Sequence, residues 1–274
     1  MLKIIRFVLL NVVILLFTRS IVANGSDAVL TMIPSGVFLL QTLEKFPKQF
    51  YQSYPPQKAP YYGKKLCANP AYHCIVIKAT DTWQGLFPNK RQRDLVMRLN
   101  RTNSALYYRQ WILIPNQFKN FELMDYSPFP DYDPENKGER FILVDLEKYA
   151  FAAYNKYGYQ IFWGPALGGM KLCPDTNTSC QTPIGTYRVF KKAGVSCRSG
   201  AFPVGSGGSP MPYCMFFHQG FSIHGAYIPG VPNSHGCVQV FPEDAAWLNE
   251  NFVSAKYPYG TKVVIIGGQA LRKD

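Results

Sequence analysis

Apolar and polar positions divide the chain into zones of different period. Phe7 to Phe17 is an apolar run of 11 residues broken only by Asn11, with Lys3 and Arg6 before it and Thr18 to Ala23 after it. A basic start, a short apolar core and a small residue at the exit describe a secretory signal peptide over residues 1–23. A membrane-crossing helix needs about 20 apolar residues, and Arg19 ends this run early. Residues 24–65, rich in Pro and Tyr, show no clear period and carry no assignable function. Between residues 66 and 118 the period switches twice. Cys74 to Ile77 reads as a strand, and Asp81 or Thr82 can cap a turn of helix. Leu95, Val96 and Leu99 fall at helical spacing within Arg93 to Arg101, and Trp111 to Ile114 is a strand ended by Pro115.

Residues 119–139 read as a linker, with Pro128, Pro130, Pro134 and several acids. From Arg140 onward the pattern is that of strands. Phe141 to Val144, Tyr149 to Tyr154, Tyr159 to Trp163, Gly185 to Phe190, Met215 to Phe217, Phe221 to His224, Val238 to Phe241 and Val263 to Ile266 are the candidates. Gln219-Gly220 marks a hairpin turn. Pro242-Glu243-Asp244 opens a helix, because Pro fits a first turn and acids suit its positive end. Ala245, Leu248 and Phe252 are its apolar stripe. The pattern predicts a mainly β chain, a sandwich or barrel over residues 140–268, preceded by a small α/β module at 66–118. With 22 Gly, 21 Pro and 15% aromatic residues, the composition disfavours a helical bundle.

Twenty-nine Lys and Arg against 17 Asp and Glu give a net charge of +12. Loss of residues 1–23 would remove three basic residues and no acidic one, leaving +9. Export sets nucleic acid aside as a partner, and anionic envelope polymers or membrane head groups are the expected counter-charge. No second apolar stretch approaches spanning length, so no stable membrane insertion is expected after cleavage. An oxidising compartment permits disulfides, and there are seven cysteines. Nearest-neighbour pairing joins Cys67 to Cys74, Cys173 to Cys180 and Cys197 to Cys214, one of 15 connectivities of six cysteines. That pairing leaves Cys237 free.

Three of the four histidines, His218, His224 and His235, lie within 20 residues of Cys237. A free thiol with a nearby imidazole is the raw material of nucleophilic acyl transfer, since a thiol needs a base to become a good nucleophile. Gly236 lets the backbone approach closely, and the N–H groups of Gly236 and Cys237 can face a developing oxyanion. His218, His224, His235 and Cys237 also suit zinc by residue type, but their spacing matches no common zinc pattern.

Ile223-His224-Gly225 followed by Ser234-His235-Gly236-Cys237-Val238 resembles the signature of the L,D-transpeptidases of the YkuD type. Arg140 to Asp145, Gly168-Gly169, Thr182 to Tyr187, Met211-Pro212-Tyr213 and Gly260 to Val264 extend the resemblance over roughly residues 140–267. One departure is Gln239, where many members have Arg. The resemblance implies that Cys237 is the nucleophile and His224 its base, with no metal or other cofactor. Gly236, His235 and Ser234 are read as oxyanion or cleft residues, and Gly225, Gln239, Tyr213 and His218 as candidate substrate contacts, with a purely structural role the alternative for Ser234, His218 and Tyr213. The implied substrate is a tetrapeptide stem of peptidoglycan, which would lose D-Ala and pass to an amine. Water as acceptor would make the protein an L,D-carboxypeptidase. The implied location is the periplasm or cell envelope.

Ile77 to Trp83, Leu99-Asn100, Leu106 and Ile112 to Pro115 resemble the LysM module, which implies binding of glycans containing N-acetylglucosamine. A ligand-free structural domain is the alternative for this segment, and a non-catalytic envelope-binding protein is the alternative for the whole. The cysteine arithmetic gives a direct test. Alkylation of the denatured, unreduced protein should label one thiol, Cys237; labelling of a second cysteine would overturn the pairing.

Overall fold

The computed structural model describes residues 28–32, 38–42, 62–118, 121–204, 208–256 and 258–267. The expected signal peptide lies outside these residues. The chain divides into two compact units, residues 1–55 and 56–274. Within the first, strands β1 (Ala28–Met32) and β2 (Phe38–Thr42) pair antiparallel.

The second unit begins with a strand–helix–helix–strand arrangement. β3 (Tyr72–Val76) precedes helices α1 (Trp83–Leu86) and α2 (Lys90–Leu99), and β4 (Trp111–Pro115) returns antiparallel to β3. Thr82 caps α1 by accepting from Gly85 N–H. Helix α2 starts three residues before the expected Arg93, because the Asn89 side chain accepts from the N–H groups of Arg91 and Gln92. It ends at Leu99, and Arg101 follows with a left-handed φ of 53°. Trp83, Val96, Leu106, Ile112 and Ile114 fill the space between the helices and the small sheet.

The stretch with the linker composition is packed. A 3-10 turn, Leu123–Tyr126, offers the Leu123 carbonyl to Trp163 Nε1 at 2.7 Å, and the Tyr154 hydroxyl donates to Pro130 O at 2.8 Å.

Strands β5 (Phe141–Asp145), β6 (Ala150–Tyr154), β7 (Gln160–Leu167), β8 (Gly185–Arg188), β9 (Lys191–Lys192), β10 (Met215–His218), β11 (Phe221–Gly225), β12 (Val238–Val240) and β13 (Lys262–Ile266) form one sheet. Its spatial order is β8-β13-β5-β6-β7-β12-β11-β10-β9. Pairing is antiparallel except for β5 with β13 and β11 with β12. The sheet curls until its ends approach: Phe190 N–H donates to Phe216 O at 3.0 Å, and the rings of Tyr187 and Phe217 lie 5.3 Å apart. The expected sandwich or barrel is thus a single curled mixed sheet, a half-barrel.

Ile142, Val144, Phe151, Val263 and Ile265 line the inside of the curl from one half, and Met215, Ile223, Val238 and Val240 from the other. Helix α3 (Pro242–Trp247) and the π-turn Leu248–Phe252 plug it with Ala245, Leu248 and Phe252, the expected apolar stripe. β7 runs four residues beyond its expected end, because Pro165 pairs with Ala150 and Ala166 with Val240. It therefore bridges the two halves of the sheet.

A buried ion pair joins α2 to α3. Arg98 donates to both Asp244 oxygens, at 2.8 and 2.6 Å, to Trp163 O at 3.2 Å and to Asp94 at 2.9 Å. Burial opposes the guanidinium charge, but Asp244 and then Asp94 outweigh it and hold the group above its ordinary pKa. Arg98→Ala would leave Asp244 buried without its partner. A destabilisation of about 3–5 kcal/mol is expected, read as a lower urea midpoint; an unchanged midpoint would contradict it.

Candidate active site

The site follows from the one parallel junction in the second half of the sheet. In β11 and β12, Ile223 pairs with Val238 and His224 with Gln239. Side chains alternate along a strand, so Ser222 and His224 share one face of β11 while Ile223 enters the core. Continuing the register back by one residue sets Cys237 opposite Ser222, on the same face as His224 and one pair away from it. Strand and turn chemistry produce this placement. The tight turn at Gln219-Gly220, with Gln219 at φ 44°, aims β11 along the site, and Gly225 ends it by donating to Pro212 O at 2.8 Å.

His224 is buried, and its Nδ1 is 3.0 Å from Gly225 O. A carbonyl only accepts, so Nδ1 carries the proton and Nε2 keeps the lone pair in the neutral ring. Burial lowers its pKa to about 4, while the Gly225 bond pulls weakly the other way. Cys237 is half-buried and packs against a cluster formed by Cys197, Met211 and Cys214. The Ser222 hydroxyl donates to its Sγ at 3.7 Å, and the thiol stands 4.0 Å from Gly220 O. Burial raises the thiol pKa above its ordinary value, and the Ser222 contacts offset only part of this. The resting pair is therefore a neutral thiol and a neutral imidazole, with no hydrogen bond between them in this structure.

The Cys loop is held from below. Gly236 has φ 118°, and a Cβ there would strike the Phe221 ring. Gly169 lies so close to Gly236 that a Cβ on it would meet the Gly236 backbone at 2.6 Å. Thr182 Oγ1 accepts from Gly169 N–H at 2.9 Å and donates to Gly236 O at 2.8 Å. Ser234 Oγ donates to Cys237 O at 2.6 Å and accepts from Gly236 N–H at 3.1 Å. The Gly236 amide, read from sequence as an oxyanion donor, is thus already occupied by Ser234. Ser234 supports the loop.

The other candidate residues are spread around this centre. His235 pairs through Nε2 with Asp175 at 2.8 Å and stacks on Phe202 at 4.2 Å. His218 stacks between Tyr187 and Phe221 at the β10–β11 hairpin. Tyr213, at φ 58°, packs against the main core. Gln239 lies opposite His224, and its Oε1 is buried without a hydrogen-bond partner. Disulfides join Cys67–Cys74, Cys173–Cys180 and Cys197–Cys214. The four zinc candidates are not brought together. Among the described residues one cluster of three ligand atoms occurs, Cys173, Asp175 and His235, and its cysteine is tied up in a disulfide. Sequence reasoning gave no individual role to Ser222, Thr182 or Asp175. Ser222 was within reach, two residues before His224 on an alternating strand; Asp175 lies 60 residues from His235.

Residues 139–265 match the YkuD family, the L,D-transpeptidase catalytic domain. Among solved structures, an L,D-transpeptidase of Xylanimonas cellulosilytica is similar at 24% identity over 53% of this chain and 67% of that one, with a TM-score of 0.40. One of Stackebrandtia nassauensis is similar at 24% identity over 53% and 62%, with a TM-score of 0.40. One of Enterococcus faecium is similar at 22% identity over 47% and 50%, with a TM-score of 0.37. The chain thus spans half to two-thirds of the length of these structures. No curated protein sequence matches it significantly.

The neutral resting pair predicts the pH dependence of the thiol. Alkylation of Cys237 by iodoacetamide in the folded protein should still be rising at pH 9, with no step near 6.5. A plateau below pH 7 would indicate a thiolate–imidazolium pair instead. His224 also bears on stability. Its folded pKa lies below its unfolded value of 6.5, so the unfolded chain takes up this proton first as pH falls. The contribution is full above pH 6.5 and lost towards pH 4, by about 3 kcal/mol in all, and His224→Gln should flatten that limb of a stability curve. The two motif strands and their supporting loop both lie within residues 139–265, the stretch that is similar to the YkuD family.

Proposed function

We propose that the protein is an exported, cysteine-dependent L,D-transpeptidase acting on peptidoglycan stem peptides. The observation that carries this reading is the placement of Cys237 and His224 on one face of two adjacent parallel strands, with His224 Nδ1 engaged by a carbonyl. His224 Nε2 takes the Cys237 proton as Sγ attacks the carbonyl carbon of the third stem residue. Proton transfer is coupled to attack, because the resting thiol is held neutral. The Sγ–C bond forms, the bond to D-Ala breaks, and the leaving amine takes its proton from His224. A thioester remains. An amine of a second stem attacks it and gives a proton to His224 Nε2, the C–S bond breaks, and that proton passes to Sγ, restoring the thiol with a 3→3 cross-link formed.

The Cys237 N–H is the oxyanion donor in this scheme, since that of Gly236 already serves Ser234. Gln239 Oε1, buried and without a partner beside His224, is an acceptor for a stem amide N–H. The disulfides and the family together favour action outside the cytoplasm. Among the described residues no helix is long and apolar enough to cross a membrane.

Protein mixed with a disaccharide-tetrapeptide should release D-Ala, with the product read by mass spectrometry. Cys237→Ala and His224→Ala should each abolish release. Tetrapeptide left unchanged by the wild type across pH 6–9 would refute the proposal, and release without a cross-linked product would assign water as the acceptor.

A further inference from the structure

Neighbouring parallel strands must be joined by a crossover of a dozen residues or more, and that crossover is usually a helix. Between Gly225 and Val238 there is no helix. The twelve connecting residues run as loop, and their backbone polar groups need partners elsewhere. Ala226 N–H is met by Val240 O at 2.8 Å, inside the catalytic sheet. The partners of the next groups come from the upstream unit. Asn103 Oδ1 accepts from Ile228 N–H at 2.8 Å, and Asn103 Nδ2 reaches Ala226 O at 3.4 Å. Thr102 Oγ1, fully buried, donates to Ile228 O at 2.7 Å. Arg109 Nη1 donates to Pro229 O at 3.1 Å.

The clamp is rigid from behind. Asn100, also fully buried, ties the end of α2 to β4 by accepting from Leu113 N–H at 2.8 Å and donating to Leu113 O at 2.7 Å. Arg98 anchors the same helix on Asp244, four residues past the end of β12. The segment Arg98 to Arg109 therefore grips the chain after His224 and the helix after Cys237 at once.

We infer that the upstream strand–helix–helix–strand unit is a positioning element of the active site, in which Thr102 and Asn103 fix the crossover that sets His224 against Cys237. This rests on Cys237 and His224 being the reacting pair. It gives the upstream unit a task for which no glycan ligand is needed. It also explains why the turn after α2 takes a left-handed residue at Arg101: the reversal there delivers Thr102 and Asn103 to the loop.

The test uses Thr102→Ala and Asn103→Ala in the full chain, with Thr102→Ser and Asn103→Asp as variants that keep the hydroxyl and the Oδ acceptor. The alanine variants should speed amide hydrogen exchange at residues 226–230 by tenfold or more. They should lower kcat for D-Ala release by tenfold or more, with KM changed less than twofold. Their pH profile of Cys237 alkylation should move, while the Ser and Asp variants stay within threefold of wild type. Unchanged exchange at 226–230, or a loss confined to KM with kcat intact, would overturn the inference. Should an alanine variant fail to fold, Thr102→Val, which keeps the volume and removes the hydroxyl, is read in the same way. If the wild type released no D-Ala, the proposed activity would fail on its own, and hydrogen exchange and alkylation would still decide the clamp.

Discussion

Two parallel strands, β11 and β12, lie side by side in a sheet whose other neighbours are mostly antiparallel, and the sharing of one face by His224 and Cys237 depends on that junction. Parallel register points the Ser222, His224, Cys237 and Gln239 side chains to one face without any one of them leaving regular strand geometry or its immediate end. An antiparallel hairpin could be closed by two residues, but it would not leave a long loop between the motif's two halves. The length of that loop is what lets Gly169, Thr182 and Ser234 hold the cysteine from one side and Asn103 hold the crossover from the other. The rest of the molecule can be understood as support for the junction: a curled sheet that wraps a plug of Ala245, Leu248 and Phe252, and an upstream unit that braces it.

Burial sets the character of the site. His224 is pushed to a low pKa and Cys237 to a high one by the same loss of solvent, with no charged partner to compensate either. In a cysteine site activated by an ion pair the nucleophile exists before the substrate arrives. In the proposed reaction the charge appears only as attack proceeds, and the Cys237 N–H meets a transient species. His235, by contrast, is matched to Asp175, whose carboxyl it lowers by hydrogen bonding, and it belongs to the rim.

Local signals in the sequence reached the elements and the motif. The alternation of Phe221 to His224, the turn at Gln219-Gly220 and the Pro242 helix start are short-range features, and each lies where its chemistry predicts. The closure of the sheet was not legible, because it depends on β13 crossing to pair with β5 over more than a hundred residues. The packing of residues 121–139 was hidden by their composition: Pro and acids signal a loop, while the decisive contacts are backbone carbonyls offered to Trp163 and Tyr154. The same limit hid the role of Thr102 and Asn103. Two polar residues after a helix read as a cap or a turn, and only the fold brings them to Ala226 and Ile228, over 120 residues away.

The position of Cys237 beside Cys197 and Cys214 has a consequence for thiol–disulfide exchange. Exchange between a thiol and a disulfide proceeds through the thiolate and slows as the thiolate becomes scarce. An ionised thiol packed against this bridge is the species that could exchange with it and open the loop over residues 197–214. Burial, by raising the pKa of Cys237, keeps that species scarce. A thiol that burial keeps protonated can thus share one small cluster with a disulfide.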